Sequence, residues 1–297
     1  MYREFINIFP TWQIFLLISL LFVGFSLVMF YLFSYLLPCF KEEEAESMGM
    51  LVGFLGGAFG VLLGFIIVNL WQSLELARTT VSEEARAFDS IIIDSAVFPV
   101  QARKNILNAV QKYICALTID ERKTMRSGYT SKKAVADILN LFAVVQSYKP
   151  ETEIQKMLYS QTLYNLKDAL KARRQRADYI NSRLPPEIHF ILILGAFLVV
   201  GSISILQSAY KSHRGLRVMM LVFASIGIAC NLGMALALDY PFSGSINVSF
   251  MPFTSEGALI PFAKCPIKPQ SQKDSSFYDT SQKMIKTEKS SPMYPQF

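Results

Sequence analysis

The sequence predicts an all-α integral membrane protein, with four transmembrane helices and a cytoplasmic helical domain inserted between the second and third spans. Three observations predict it. Four windows of the 297-residue chain carry no Lys, Arg, Asp or Glu: Trp12 to Leu37, Met48 to Leu74, Ile188 to Tyr210 and Val218 to Leu238. Each exceeds the roughly 20 residues that a helix needs to cross a hydrocarbon core. Between the second and third windows the chain is charged and helically periodic, with no alternating strand pattern. Composition agrees, at 52% hydrophobic with a positive mean hydropathy. The expected organisation is a first helix pair (1–74), the inserted helical domain (75–186), a second helix pair (187–240), a post-membrane segment (241–263) and a basic tail (264–297).

The first window is too long for the apolar core of a signal peptide. "LLPCF" follows it, where cleavage would need a small-x-small site, so it is expected to remain as a span. The second window contains "GMLVGFLGGAFGVLLGF", with Gly49, Gly53, Gly56, Gly57, Gly60 and Gly64. In a soluble helix each glycine costs about 1 kcal/mol relative to alanine. In lipid, helices associate by close packing, which glycine permits. At 3.6 residues per turn the six lie on one face, as four overlapping pairs spaced four apart. The expectation is a helix-packing face, within the chain or between subunits. The plainer reading is that glycine is common in membrane helices. The opposite face carries Phe54, Ala58, Leu62, Phe65 and Asn69. If the glycines join subunits, this face looks toward an axis and forms an apolar constriction with one polar step. Otherwise it is a lipid-facing or bundle-core surface.

Orientation follows from charge. Near the membrane the inserted segment offers Arg78, Arg86, Lys171, Arg173, Arg174, Arg176 and Arg183. The opposite loops offer Lys41, Lys211, Arg214 and Arg217. The positive-inside rule therefore puts both termini and 75–186 in the cytoplasm and the protein in the inner (plasma) membrane.

The inserted segment holds 18 Lys/Arg against 12 Asp/Glu. Leu74, Val81, Ala85, Phe88 and Ile92 form one apolar stripe, and no Pro or Gly separates it from the second span. One helix from Met48 to Val97 is expected, with Pro99 ending it. Ile106, Val110, Ile114 and Leu117 mark a second helix. "RSGYTS" at 126–131 breaks it. Val135, Leu139, Phe142 and Val145 mark a third. Pro150 opens a fourth, striped by Leu163, Leu166, Leu170 and Ala177 and stopped by "LPP" at 184–186. The tail from Lys264 is rich in Lys, Ser, Gln and Pro and is expected to be disordered.

Chemistry is scarce. The two histidines, His189 and His213, sit at opposite ends of the third span, which excludes a histidine zinc site. The four cysteines lack metal spacing and imply no disulfide framework. There is no P-loop and no dinucleotide fingerprint. No catalytic set, metal, cofactor or nucleic-acid partner is expected. His189 is expected at the membrane interface. Asp239 closes the last span, where it pairs with an arginine, caps backbone donors or marks the interface. Arg173 and Arg176 are three apart, Arg183 lies two turns on, and Glu83 and Glu84 sit at a comparable depth on the first charged helix. Arg–carboxylate pairing between the two helices is one reading. An electropositive ring around an anion path is the other.

Three stretches carry a resemblance: "LARTTVSEEARAFDSIIIDSAVFP", "KARRQRADYINSRLP" and "LDYPFSGSINVS". With the glycine- and Phe-bearing second span, they resemble the bacterial bestrophin-like family of unknown function, from about Gly53 to Phe253. The matching positions are Arg78, Glu83, Glu84, Arg173, Arg176, Arg183, Pro185, Asp239, Pro241 and Gly244. The resemblance implies kinship with bestrophins, which are pentameric anion channels whose second span lines an axial pore and continues into a helical cytosolic domain. Bestrophins hold calcium in an acidic cluster after the last span. This chain departs from that pattern, with only Asp239 and Glu256 there. Two functions stand open. One is a homo-oligomeric channel for small anions. The other is a membrane-anchored scaffold or signalling protein whose cytoplasmic helices bind a partner.

Overall fold

The computed structural model describes residues 2–36, 42–181, 183–209, 213–253 and Cys265. Among these, every regular element is helical. A short α1 (Tyr2–Ile8), not expected from the sequence, leads into α2 (Thr11–Leu36). Then comes α3 (Glu42–Asp94), 53 residues and about 80 Å long. It closes in a 3-10 turn, Ser95–Val97, before Pro99. α2, α3, α8 (Pro186–Ala209) and α9 (Arg214–Leu238) are the four helices long and apolar enough to cross a membrane. The expected single helix through the second span and the first charged stripe is present. The tail 264–297 and residues 254–263 lie outside the described residues, apart from Cys265.

The inserted helices begin with α4 (Val100–Cys115), which runs through a π-helical stretch, Ala116–Glu121, into α5 (Arg122–Arg126). Ile106, Val110, Ile114 and Leu117 are all buried there, as their spacing implies. α6 (Lys132–Gln146) opens on Ser131, whose hydroxyl accepts from Ala134 N. Its buried face is Ala134, Ile138, Leu141 and Val145, while Leu139 is 58% exposed. The expected face was thus rotated by about one residue. α7 (Glu153–Asp178) opens at Thr152 and not at Pro150. Thr152 Oγ1 accepts from Gln155 N, and Gln155 Oε1 accepts from Thr152 N. Its buried line is Thr162, Leu166, Ala169, Arg173 and Arg176, so Leu163, Leu170 and Ala177 stand to one side.

α2 packs on α8 and α9, α3 packs on α7, α8 and α9, and α4 packs on α6. The face of α3 against its own chain is Val52, Phe59, Leu63, Leu70, Leu74 and Val81, spaced 7, 4, 7, 4 and 7. It lies between the glycine face and the Phe54 face, and neither of those supplies the internal contact. A Cβ added at Gly56 would stand 3.9 Å from Val199, and one added at any of the other five would meet nothing within 4 Å. The close helix approach is made by Gly195 on α8, where a Cβ would stand 2.8 Å from the Phe59 ring. Gly233 on α9 plays the same part against Phe15.

α1 returns to the inserted helices. Arg3 donates to Ile180 O at 2.6 Å, Asn7 Nδ2 to Arg126 O at 2.8 Å, and Gly244 N to Asn7 Oδ1 at 3.0 Å. The N-terminal helix, the turn after α5 and the segment after α9 thus meet at one end of the apolar helices. Gly128 makes this possible. Its φ is +93°, and a Cβ there would lie 1.5 Å from Arg3 Nη1. Gly128→Ala should therefore destabilise by more than about 1 kcal/mol. Gly227→Ala, with nothing within 4 Å, should not lower stability. Thermal unfolding of both variants in detergent checks this, and equal melting temperatures would contradict it.

Candidate functional site

The buried line of α7 ends in two arginines, and the carboxylates that meet them come from two other elements. Glu84 takes a core position of α3, between Val81 and Phe88. Glu121 extends the stripe of α4, four residues after Leu117, at the end of the π-helical stretch. Both carboxylates and Arg176 are fully buried, and Arg173 nearly so. Arg176 Nε donates to Glu84 Oε2 at 2.7 Å and Nη2 to Glu84 Oε1 at 3.3 Å. Arg176 Nη1 donates to Glu121 Oε1 at 3.3 Å and lies 2.9 Å from Met125 Sδ. Arg173 Nη2 reaches both oxygens of Glu121, at 3.1 and 3.3 Å. Tyr113 OH, from α4, donates to Glu84 Oε1 at 2.5 Å. The ring of Phe250 covers the Arg176 guanidinium at 5.5 Å, and Phe253 packs on Phe88.

The cluster holds two cations against two anions. Burial lowers the Arg176 pKa, but the field of Glu84 leads a set of charges that outweighs burial, and the net direction is up. Burial, then Glu84, pushes the Tyr113 phenol well above its ordinary 10.0. Arg176 therefore stays charged and Tyr113 stays a donor. Glu121 and Tyr113 were not singled out in the sequence. The signal for Glu121 was an acid on the continuation of an apolar stripe. Glu83 is exposed on the outer side of α3. Arg78 pairs locally with Glu75 at 2.5 Å. Arg173 and Arg176 are enclosed by carboxylates, which removes them from any electropositive ring.

A second polar junction closes the membrane end. The Asp239 side chain is buried, and its Oδ1 accepts from Arg183 N at 2.9 Å and Leu184 N at 2.8 Å. Its Oδ2 lies 3.1 Å from His189 Nε2. Asp239 thus caps backbone donors and pairs with His189, while the Arg183 guanidinium bonds Asp178 O and lies over the Tyr179 ring. Cys115 is disulfide-bonded, contrary to the expectation from cysteine spacing. Among the described residues no group of His, Cys, Asp and Glu is arranged to hold a metal.

The third feature is the free face of α3. Phe54 and Phe65 are each 72% exposed, and Ala58, Leu62 and Asn69 are exposed with them. The same face continues through Gln72, Leu76, Thr79 and Glu83, all exposed. It is apolar down to Phe65 and mixed or polar beyond.

A Bestrophin-like domain profile matches residues 20–253. Among solved structures, a bacterial bestrophin homologue from Klebsiella pneumoniae superposes with a TM-score of 0.62 at 14% identity, covering 80% of this chain and 93% of that one. A variant of that homologue gives 0.63 at 14% identity, over 80% and 94%. A structure described as a membrane protein gives 0.64 at 14% identity, over 80% and 93%. No curated protein matches the chain significantly. What is shared with the solved structures at such identity is the fold. The chain belongs to the bestrophin-like family, and it is a membrane protein of the bestrophin type.

Two expected outcomes follow from the buried cluster. Arg176→Ala leaves two carboxylates inside without their main cation and should destabilise by roughly 3–5 kcal/mol. Adding Glu84→Gln to Arg176→Ala should recover part of that loss, so a double-mutant cycle read by detergent unfolding must be non-additive. Additive losses would speak against the pairing. The second outcome concerns alkaline pH. A phenol raised in the folded state contributes stability that is complete below the ordinary value of 10.0. That contribution is lost as pH rises above this value. Tyr113→Phe should flatten the alkaline limb of stability, by up to about 1.4 kcal/mol per pH unit. Parallel alkaline limbs for wild type and variant would rule this out.

Proposed function

We propose that this protein is a homo-oligomeric channel for small anions, with α3 lining the axis. The observation that carries the reading is the free face of α3. One side of this helix is committed to its own chain, yet Phe54 and Phe65 stand open over the whole apolar length. Apolar rings repeated around an axis close a pore by dewetting, without any charge. The change of character near Asn69 and Gln72, close to where the uncharged window ends, suits a pore mouth better than a surface facing lipid. The glycines on the opposite face, also open within the chain, suit helix contacts between copies. Bestrophin kinship adds the same plan by analogy of fold.

Orientation belongs to the proposal too. α1, Arg126 and the segment after α9 are joined by hydrogen bonds, which favours one side for all three. The membrane-proximal arginines make that side the cytoplasm of a plasma-membrane protein.

Halide flux into liposomes containing the purified protein tests the channel. Wild type should conduct halide, Phe65→Ala should raise the leak, and Asn69→Asp should shift selectivity toward cations. Gly56→Leu and Gly60→Leu should reduce oligomer yield on native electrophoresis more than Ala58→Leu does. If all the preparations are silent at matched protein content, the scaffold or signalling reading replaces this one. The exposed Ile93, Val100, Ile154 and Met157 on the inserted helices would then be the surface to examine.

A further inference from the structure

We propose that each chain holds one anionic diacyl phospholipid in a two-part cavity at the end of the apolar helices where α1, α8 and α9 meet. This is independent of conduction along α3.

The inner part is a cavity of about 240 Å³ between α2, α8 and α9. Its walls are hydrocarbon and aromatic: Ile18 and Phe22 of α2, Ile193 and Phe197 of α8, and Leu232 and Leu236 of α9. It extends along α2 from Ile14 to Phe22 and along α8 from His189 to Phe197. Each stretch advances about 12 Å, a little under the half-thickness of a hydrocarbon core. His189 and Tyr240 are its polar residues, and both stand at the end where the spans stop. Water needs two to four polar partners to occupy such a space, and beyond His189 and Tyr240 at one end these walls offer no polar side chain. In a bilayer the filler at hand is an acyl chain.

The outer part, about 560 Å³, shares His189, Ile193 and Tyr240 with the inner one. It adds Asn181, Arg183, Pro186 and Phe190. Arg183 is exposed and held in place, with Nη1 donating to Asp178 O at 3.1 Å and the guanidinium 4.6 Å from the Tyr179 ring centre. Among the described residues no other side chain or carbonyl accepts from its remaining donors. Arg3 adds a second cation at the rim, 5.0 Å over the Tyr240 ring and anchored to Ile180 O. The Asp239 carboxylate is taken up by Arg183 N, Leu184 N and His189. Glu187 does not line either part.

Guanidinium donors at the level where the spans end, directly above an apolar slot, match a phosphodiester headgroup above an acyl chain. A free phosphate would use the outer part and leave the slot unexplained. The lateral rim is reachable, because Leu21 is 50% and Phe190 67% exposed. A lipid can enter from the side without the helices parting.

The full chain, delipidated in detergent, is titrated by native mass spectrometry with phosphatidylglycerol, phosphatidylcholine and inorganic phosphate. Phosphatidylglycerol should bind at one per chain and more tightly than phosphatidylcholine. Arg183→Gln keeps the backbone bond to Asp239 and should weaken phosphatidylglycerol about tenfold, bringing it close to phosphatidylcholine. Ile193→Trp should fill the slot and expel both lipids. Leu21→Trp at the exposed rim does the same with less risk to folding, and a melting curve checks each variant. Equal affinity of wild type for the two lipids, or no effect of Arg183→Gln, overturns the headgroup assignment. Unchanged lipid binding in the folded tryptophan variants overturns the slot. Inorganic phosphate binding as tightly as phosphatidylglycerol overturns the lipid in favour of a plain anion site.

Discussion

Arg176 can be buried only where carboxylates are brought to it, and most of the arrangement beyond the spans answers that need. Removing a guanidinium from water costs several kcal/mol even after relaxation, and opposite charges with good hydrogen bonds must offset it. Glu84 supplies this from α3 and Glu121 from the end of the π-helical stretch. Three elements distant in sequence are therefore held in one register. The π-helical stretch has a physical purpose in this view. Its wider turn carries the chain from α4 to α5 with Glu121 and Met125 both on the side of Arg176. The segment after α9 completes the enclosure with Phe250. Apolar packing alone would let α7 slide along α3, whereas a misplaced charge pair would not be tolerated.

Asp239 does at the membrane end what Glu84 does further out, by a different chemistry. The chain reverses between α7 and α8 through Arg183 and Leu184, and their backbone donors need acceptors in a half-buried corner. Asp239, from the end of α9, accepts both. This explains why stretches more than fifty residues apart carry the family resemblance together. The arginine in the motif contributes its main chain to the corner and leaves its side chain to the surface.

Much of this was legible in the sequence. The four spans follow from windows without charge, and the unbroken α3 follows from the lack of Pro or Gly after Leu74. The Glu84–Arg176 pair could be foreseen from charges at matching distances along two helices. Three things were not legible. α6 is apolar on more than one side, so periodicity could not choose between Leu139 and Ile138. Glu121 depends on a π-helical register that no composition rule encodes. The glycines of α3 drew attention by number, while the internal contacts use solitary ones. Gly195 is read correctly only when the Phe59 ring on another helix is known. Local sequence reports a residue's own preference and says nothing of the neighbour that will need the space.

The continuity of α3 has a mechanical meaning. A helix without a hinge behaves as a stiff rod, and this one packs on its own chain from Val52 to Val81 and is held by a buried charge pair at Glu84. Phe54 lies twenty residues from Leu74, about 30 Å along the rod. A tilt of about 5° pivoting at Leu74 would swing Phe54 sideways by roughly 2–3 Å at that arm length. Glu84, only ten residues the other way, would travel half as far. The rod is thus a lever with its longer arm in the apolar layer, and small strains among the inserted helices emerge there magnified about twofold.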